Sequence, residues 1–570
     1  MKELKTIWSE NVNTTQYPRP QFQRQNWQPL DGYWQCAFAK GDLSSPDIEK
    51  TECKIKIRVP FSPESLLSEV GRTTLPDEVL IYKTHFSRQK KNKTALLHFG
   101  AVDYECKIFI NGQFVGSHIG GYTAFEIDIT EFLQEDNLLT VCVVDPSDSK
   151  PISRGKQKSK HGGIWYTPTS GIWQSVWLEY LPQNYIRSLK ITPDVDNSLV
   201  SVIATTSDGG TSFKIITEDG KEYSTDNGKI EIKLDDPILW TPDTPYLYQF
   251  EAIYKEDTVR SYFAMRKFSI GKRADGKHCF MLNDKPYFMT GLLDQGYWSD
   301  GLYTAPSDEA MIYDIELAKK CGFNTLRKHI KIESMRWYYH CDRLGMIVWQ
   351  DFINGGGNYK ESAILILPNI GIKVKDDRYA FYSRKDEEGR RLYYCEMQEI
   401  TRQLYNTPSI ALWTPFNEGW GQFDSLKVCD HLRALDSTRL IDHASGWSDQ
   451  GGELRSIHKY FVPFKMPKKE KRPVILSEFG GYSLSLKNHT FSDKTFGYAK
   501  FKDKEKLNLA IKNLWEKEII PAKEQGLCAS IYTQLSDVQD ETNGIVTYDR
   551  KVVKADCKLL AELNGKLNEF

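Results

Sequence analysis

Residues 323–352, FNTLRKHIKIESMRWYYHCDRLGMIVWQDF, decide the fold. Two short apolar runs, FNTLRKH and MIVWQDF, bracket the helical stretch ESMRWYYHCDRLG. Strand, helix and strand in so few residues make a unit of parallel sheet, because parallel neighbours need a crossover between them. The same rhythm extends in both directions. Upstream lie YFMTGL and the helical SDEAMIYDIELAKKCG; downstream come SIALWTPFNE, DSLKVCDHLRALD, RLIDHASG, RSIHKYF, PVILSEFGG, KLNLAIKNLWEKEIIPAKEQG and CASIYTQLSD. Eight strand-like runs, most followed by helix, over about 300 residues predict a (β/α)8 TIM barrel occupying 272–570. The aperiodic stretch 353–390 reads as a loop inserted over one barrel end.

Before Gly271 the pattern is different. ECKIFINGQFVGSHIGGYTAFEIDI (105–129) predicts a strand, an Asn111-Gly112 hairpin turn, a second strand, a Gly-Gly break and a third strand. In IWQSVWLEYL, Trp173 and Trp177 suit the inner face of a sandwich. Residues 1–182 therefore read as an antiparallel β-sandwich. In 183–271, SFKIITEDGKEYST turns at Asp219-Gly220 and YLYQFEAIY alternates again, which suits an immunoglobulin-like β-sandwich of about 90 residues.

Bulk properties remove several classes of function. Across 570 residues the net charge is −1 and the pI near 6.8, so nothing electrostatic favours nucleic acid or an anionic membrane. The opening MKELKTIWSENVNTTQYPRP has no apolar h-region, and the 11 cysteines include no CxxC. A cytoplasmic protein with reduced thiols and no structural zinc is expected.

Barrel enzymes build their sites at the C-terminal ends of the strands. Two acids stand there beside glycines and aromatics: Glu418 in ALWTPFNEGWGQ (411–422) and Glu478 in PVILSEFGG (473–481). Paired carboxylates at one mouth suit glycoside hydrolysis, one protonating the departing oxygen while the other attacks the anomeric carbon. Trp420 would wall the first acid. Tyr460 and Arg327, both at strand ends, could donate to the second.

With those motifs in place, the chain resembles the family 2 glycoside hydrolases, the group of β-galactosidases, β-glucuronidases and β-mannosidases. The likeness covers nearly the whole chain: a jelly-roll, sugar-binding-like sandwich, an immunoglobulin-like module and a barrel. FNEGWG on the fourth strand and SEFGG on the seventh carry it. It implies a retaining exo-β-glycosidase acting on terminal non-reducing β-hexosides, with Glu418 as acid/base and Glu478 as nucleophile. Asn417 would bond the sugar 2-hydroxyl, and Tyr460 would hold the nucleophile. The implied partner is a small oligosaccharide or glycoside; no cofactor is implied, and homo-oligomerisation stays open.

The sequence also departs from the family pattern. Arg327 is followed by Lys328-His329-Ile330-Lys331 instead of Ser-His-Tyr-Pro, leaving His329 to contact either substrate or its own neighbours. No Glu-x-His follows the third strand, so no required metal is expected. β-Glucuronidases carry Asn-x-Lys on the last loop, whose ammonium pairs with the sugar carboxylate; here Glu541 and Asn543 stand at those places. That favours a neutral hexoside over a glucuronide or galacturonide, with galactoside placed ahead of mannoside on family frequency alone. Lys328, Lys331 or Lys360 could still supply a charge from another loop. Asp294, Asp351 and Tyr532 are candidate contacts to the sugar. A non-catalytic carbohydrate-binding protein is the competing class, disfavoured because both acids are present.

Overall fold

The computed structural model describes residues 3–90, 93–360 and 374–569. All eight expected barrel strands form: β1 (Met289–Asp294), β2 (Thr325–Lys328), β3 (Ile347–Asp351), β4 (Ile410–Thr414), β5 (Leu440–Ile441), β6 (Arg455–Lys459), β7 (Val474–Gly480) and β8 (Leu527–Thr533). They pair in parallel in the order β5-β4-β3-β2-β1-β8-β7-β6. Sequence neighbours thus lie side by side, and the hydrogen-bonded circuit is open only between β5 and β6.

The residues of the barrel strands divide between two cores. Leu293, Trp349, Leu412, Ile475 and Ile531 share one cluster with Phe268, Phe280 and Leu282 of the hairpin that precedes the barrel. Their neighbours Leu292, Val348, Trp413 and Leu476 belong to a second cluster with the helices. Strands covered on both sides must be apolar almost throughout, as β4 (IALWT) is. The helix Asp308–Lys320 after β1 begins at Ser307, whose hydroxyl accepts from the Ala310 amide; Asp308 and Glu309 sit in its first turn and Lys319 and Lys320 in its last. Those charges complement the helix dipole, while Met311, Ile315 and Ala318 face the core.

The N-terminal sandwich packs a six-stranded antiparallel sheet on a four-stranded one. Its hairpin pairs Glu105–Ile110 with Gln113–Ile119, and Asn111 and Gly112 take φ of 53° and 79°, as a type I′ turn demands. The next module has sheets of three and four strands, with Phe213–Thr217 and Glu222–Thr225 flanking the Asp219-Gly220 turn.

Three expectations change. Trp173 and Trp177 are not on the inner face of the sandwich; Val176, Leu178 and Tyr180 are. Trp177 stacks on His98 with its ring nitrogen on Glu179, and Trp173 joins the barrel-side core. Docked domains bury both faces of that strand, which removes the polarity signal that would tell inside from outside. Secondly, Cys321 and Cys557 are not free thiols but form a disulfide between the helix after β1 and the helix Cys557–Gly565. Thirdly, the segment 353–390 has structure at both described ends: Gly355 bridges to Ser153 of the N-terminal sandwich, and the helix Glu387–Leu404 begins inside it. Its middle, 361–373, lies outside the described residues.

Candidate active site

Glu478 lies inside β7, and Glu418 follows β4 by four residues with φ of 53°. That left-handed conformation turns Glu418 back toward the barrel axis, and its amide donates to the Ser445 carbonyl at 2.9 Å. The flanking glycines have a physical reason: a side chain on Gly421 (φ 63°) would place its Cβ 2.0 Å from the Gly355 carbonyl oxygen. Between the two acids stands His458 of β6. Its Nδ1 is 2.8 Å from Glu418 Oε1, and its Nε2 is 3.5 Å from Glu478 Oε1 and 2.9 Å from Ser445 Oγ. One oxygen of each acid and a ring nitrogen of His458 lie within 4.8 Å of one another.

Glu478 collects donors. Arg327 Nη1 reaches it at 3.1 Å and the Tyr460 hydroxyl donates to its other oxygen. Burial by itself would raise this carboxyl, but His458, Arg327 and Tyr460 outweigh it and hold the group down at about 2. It is therefore an anion at neutral pH. The Arg327 guanidinium is fixed by a bidentate pair with Asp351 (3.0 and 2.9 Å) and by the Asn417 carbonyl oxygen at 2.9 Å. Fixing that oxygen leaves the Asn417 side-chain nitrogen buried with no partner among the described residues, a donor ready for a ligand.

The acids open into one cavity with Asn417, Trp420, Tyr460, His329 and Glu541 along its wall. Arg327 supports Glu478 from behind. Asp294 and Asp351 are not on this wall. Asp294 is taken up by Lys328 at 2.6 Å and the Gly296 amide at 2.8 Å, and Asp351 by Arg327 and by His329 Nδ1 at 2.7 Å. Tyr532 is not there either, because its ring is buried against Phe479 and Trp515. Burial drives His329 well below its ordinary value, against the pull of Glu478, so a neutral ring faces the cavity.

The lysines weighed in the sequence are occupied or distant. Lys328 is bound by Asp294 and Glu333, Lys331 by Glu333 and two carbonyls, and Lys360 is exposed. The cavity cation is Lys156, from the N-terminal sandwich. Sequence reasoning missed it, along with His458, Tyr166 and Tyr498. His458 had a signal: it shares a strand face with Ser456, two residues away, and Tyr460 follows at the same interval. Lys156 and Tyr166 had none, since no local pattern tells which loop of one domain crosses onto another.

Three family models match the chain: glycosyl hydrolases family 2, sugar binding domain, over 72–182; glycosyl hydrolases family 2 over 184–266; and glycosyl hydrolases family 2, TIM barrel domain, over 275–559. A β-galactosidase of Thermoanaerobacter pseudethanolicus is 28 % identical over 360 residues, covering 57 % of this chain and 47 % of that protein. Rat β-glucuronidase is 24 % identical over 461 residues, covering 70 % of this chain and 66 % of its own. The chain thus spans about half to two thirds of the length of these relatives. A β-glucuronidase from an uncultured Clostridium superposes with a TM-score of 0.75 at 19 % identity, over 97 % of this chain and all of the other, which shows a shared fold.

Proposed function

The chain belongs to glycosyl hydrolase family 2, and from that premise we propose that it is a retaining exo-β-glycosidase acting on neutral β-hexosides, galactosides first. Glu478 attacks the anomeric carbon while Glu418 protonates the departing oxygen; Glu418 then draws a proton from water, which releases the sugar with its configuration kept. The observation carrying the reading is the close approach of the two acids, with oxygens within 4.8 Å. A retaining pair stands about 5–5.5 Å apart, whereas an inverting pair leaves roughly 6.5–9.5 Å for a water. The opposite environments of the two acids support the division of labour. Glu478 is held ionised by Arg327 and Tyr460, and the Glu418 carboxyl pairs with His458 at 2.8 Å. The spare amide of Asn417 suits the sugar 2-hydroxyl, where hydrogen bonds strengthen toward the transition state.

Galactoside is favoured because Glu541, an acid, stands on the cavity wall, where it would repel the carboxylate of a uronide. The names of the relatives divide between the readings, β-galactosidase for the Thermoanaerobacter protein and β-glucuronidase for the rat protein and the Clostridium structure. A second reading, a β-uronidase, is favoured by the ammonium-bearing side chain of Lys156 on the wall of the same cavity. An aryl β-glycoside panel with galactoside, glucuronide and galacturonide separates the two readings. In the same panel Glu478→Gln abolishes turnover, and Glu418→Gln spares substrates whose acidic leaving groups need little protonation. Near-wild-type turnover by Glu478→Gln, or an inverted first-formed anomer by NMR, refutes the mechanism.

A further inference from the structure

Resting on that exo-glycosidase reading, we propose that Lys156 and Glu541 form a split charge pair that reads one hydroxyl of a neutral hexose, so that two domains recognise the sugar jointly. The loop carrying Lys156 leaves the N-terminal sandwich and is stitched across the barrel mouth. On one side, the Arg154 and Gly155 amides donate to the Asn354 carbonyl at 2.9 and 3.1 Å, and the Arg154 guanidinium reaches the Gly356 and Gly357 carbonyls. On the other, Thr167 and Gln539 exchange two hydrogen bonds of 3.1 and 2.8 Å, and Tyr166 donates to Glu541. The loop therefore ties the segment after β3 to the segment after β8, and its position is set by both.

Lys156 is 6 % exposed. Among the described residues its ammonium makes no hydrogen bond and no ion pair within 4.0 Å; it rests 5.2 Å from the Tyr166 ring and 5.8 Å from the Trp420 ring. A cation that faces a cavity without a counter-ion is one that a ligand can complete. Glu541, 2 % exposed, faces the same cavity and feels the Lys156 charge without touching it. Burial raises the Glu541 carboxyl, and Lys156 and Tyr166 work against that rise. The gap between the two suits a group that donates on one side and accepts on the other. A hydroxyl does both, donating to Glu541 and accepting from Lys156. A carboxylate only accepts, so it would meet Lys156 while repelling Glu541. A deoxy position would leave Lys156 unmet and Glu541 with Tyr166 as its donor.

The test uses the full chain, with Lys156→Met and Glu541→Gln assayed on p-nitrophenyl β-galactoside, its 4-deoxy and 6-deoxy analogues, and β-galacturonide. Thermal melts confirm folding. Both variants are expected to lose about tenfold or more in kcat/KM on the galactoside, the size of a lost hydrogen bond to a charged group. On the analogue lacking the hydroxyl that is read, they should change by less than about threefold. Glu541→Gln leaves Lys156 as an uncompensated cation and should raise the galacturonide-to-galactoside ratio about tenfold or more. That ratio decides alone if Lys156→Met does not fold. Wild-type preference for galactoside with an unmoved ratio in Glu541→Gln overturns the charge pair and leaves the glycosidase reading intact. Wild-type preference for the uronide overturns both the neutral-sugar reading and the pair.

Discussion

Tyr460→Phe is the sharpest probe of how this site keeps its nucleophile ionised. The hydroxyl donates to Glu478, while the ring stacks on Tyr498 with centroids 3.8 Å apart and planes at 6°. Phenylalanine preserves the stack and removes only the donor. A hydrogen bond to a charged group contributes about 1.5–3 kcal/mol, and one pKa unit corresponds to about 1.4 kcal/mol. Losing the donor therefore lifts the Glu478 carboxyl by roughly one to two pH units from its present value of about 2. The sign follows directly: a depressed carboxyl is ionised at every pH above its folded value, so the variant still holds an anion at pH 7. Its rate there falls only through looser aim of the nucleophile, by about ten- to a hundredfold. What distinguishes the mechanism is the acid side. The wild type should keep kcat/KM flat down to about pH 4, whereas the variant declines from about pH 5 as Glu478 begins to take up a proton. The assay is kcat/KM between pH 4 and 8 on a dinitrophenyl glycoside, whose leaving group needs no protonation. An unshifted acid limb would show that Arg327 and His458 alone keep Glu478 ionised and would refute the reasoning.

Two further outcomes follow from the same geometry. EDTA should leave activity nearly unchanged, because Asp351 at the end of β3 is closed by Arg327 and His329; a large loss restored by magnesium would place a cation among Glu418, His458 and Glu478. Gly421→Ala should lower the melting temperature, since the left-handed backbone costs about 1–2 kcal/mol and the new Cβ meets the Gly355 carbonyl at 2.0 Å; an unchanged melt would mean that the loop yields freely.

The sequence by itself determined the order of domains, all eight barrel strands, the hairpins at Asn111-Gly112 and Asp219-Gly220, and the two acids. Each is written locally. A period of two or of 3.6, a turn that needs positive φ, and an acid just past an apolar run are properties of consecutive residues. The tertiary structure alone decided who meets whom. Asp294, Asp351 and Tyr532 have the right types at strand ends, yet two are consumed by internal pairs and the third by ring packing. Trp177 lies on the face that alternation assigns to water, where His98 and Glu179 of its own sandwich cover it. Lys156 reached the cavity across 262 residues of separation from Glu418, 418 minus 156. Charge and hydrogen bonding act through space at a few ångströms, and only the folded chain sets those distances.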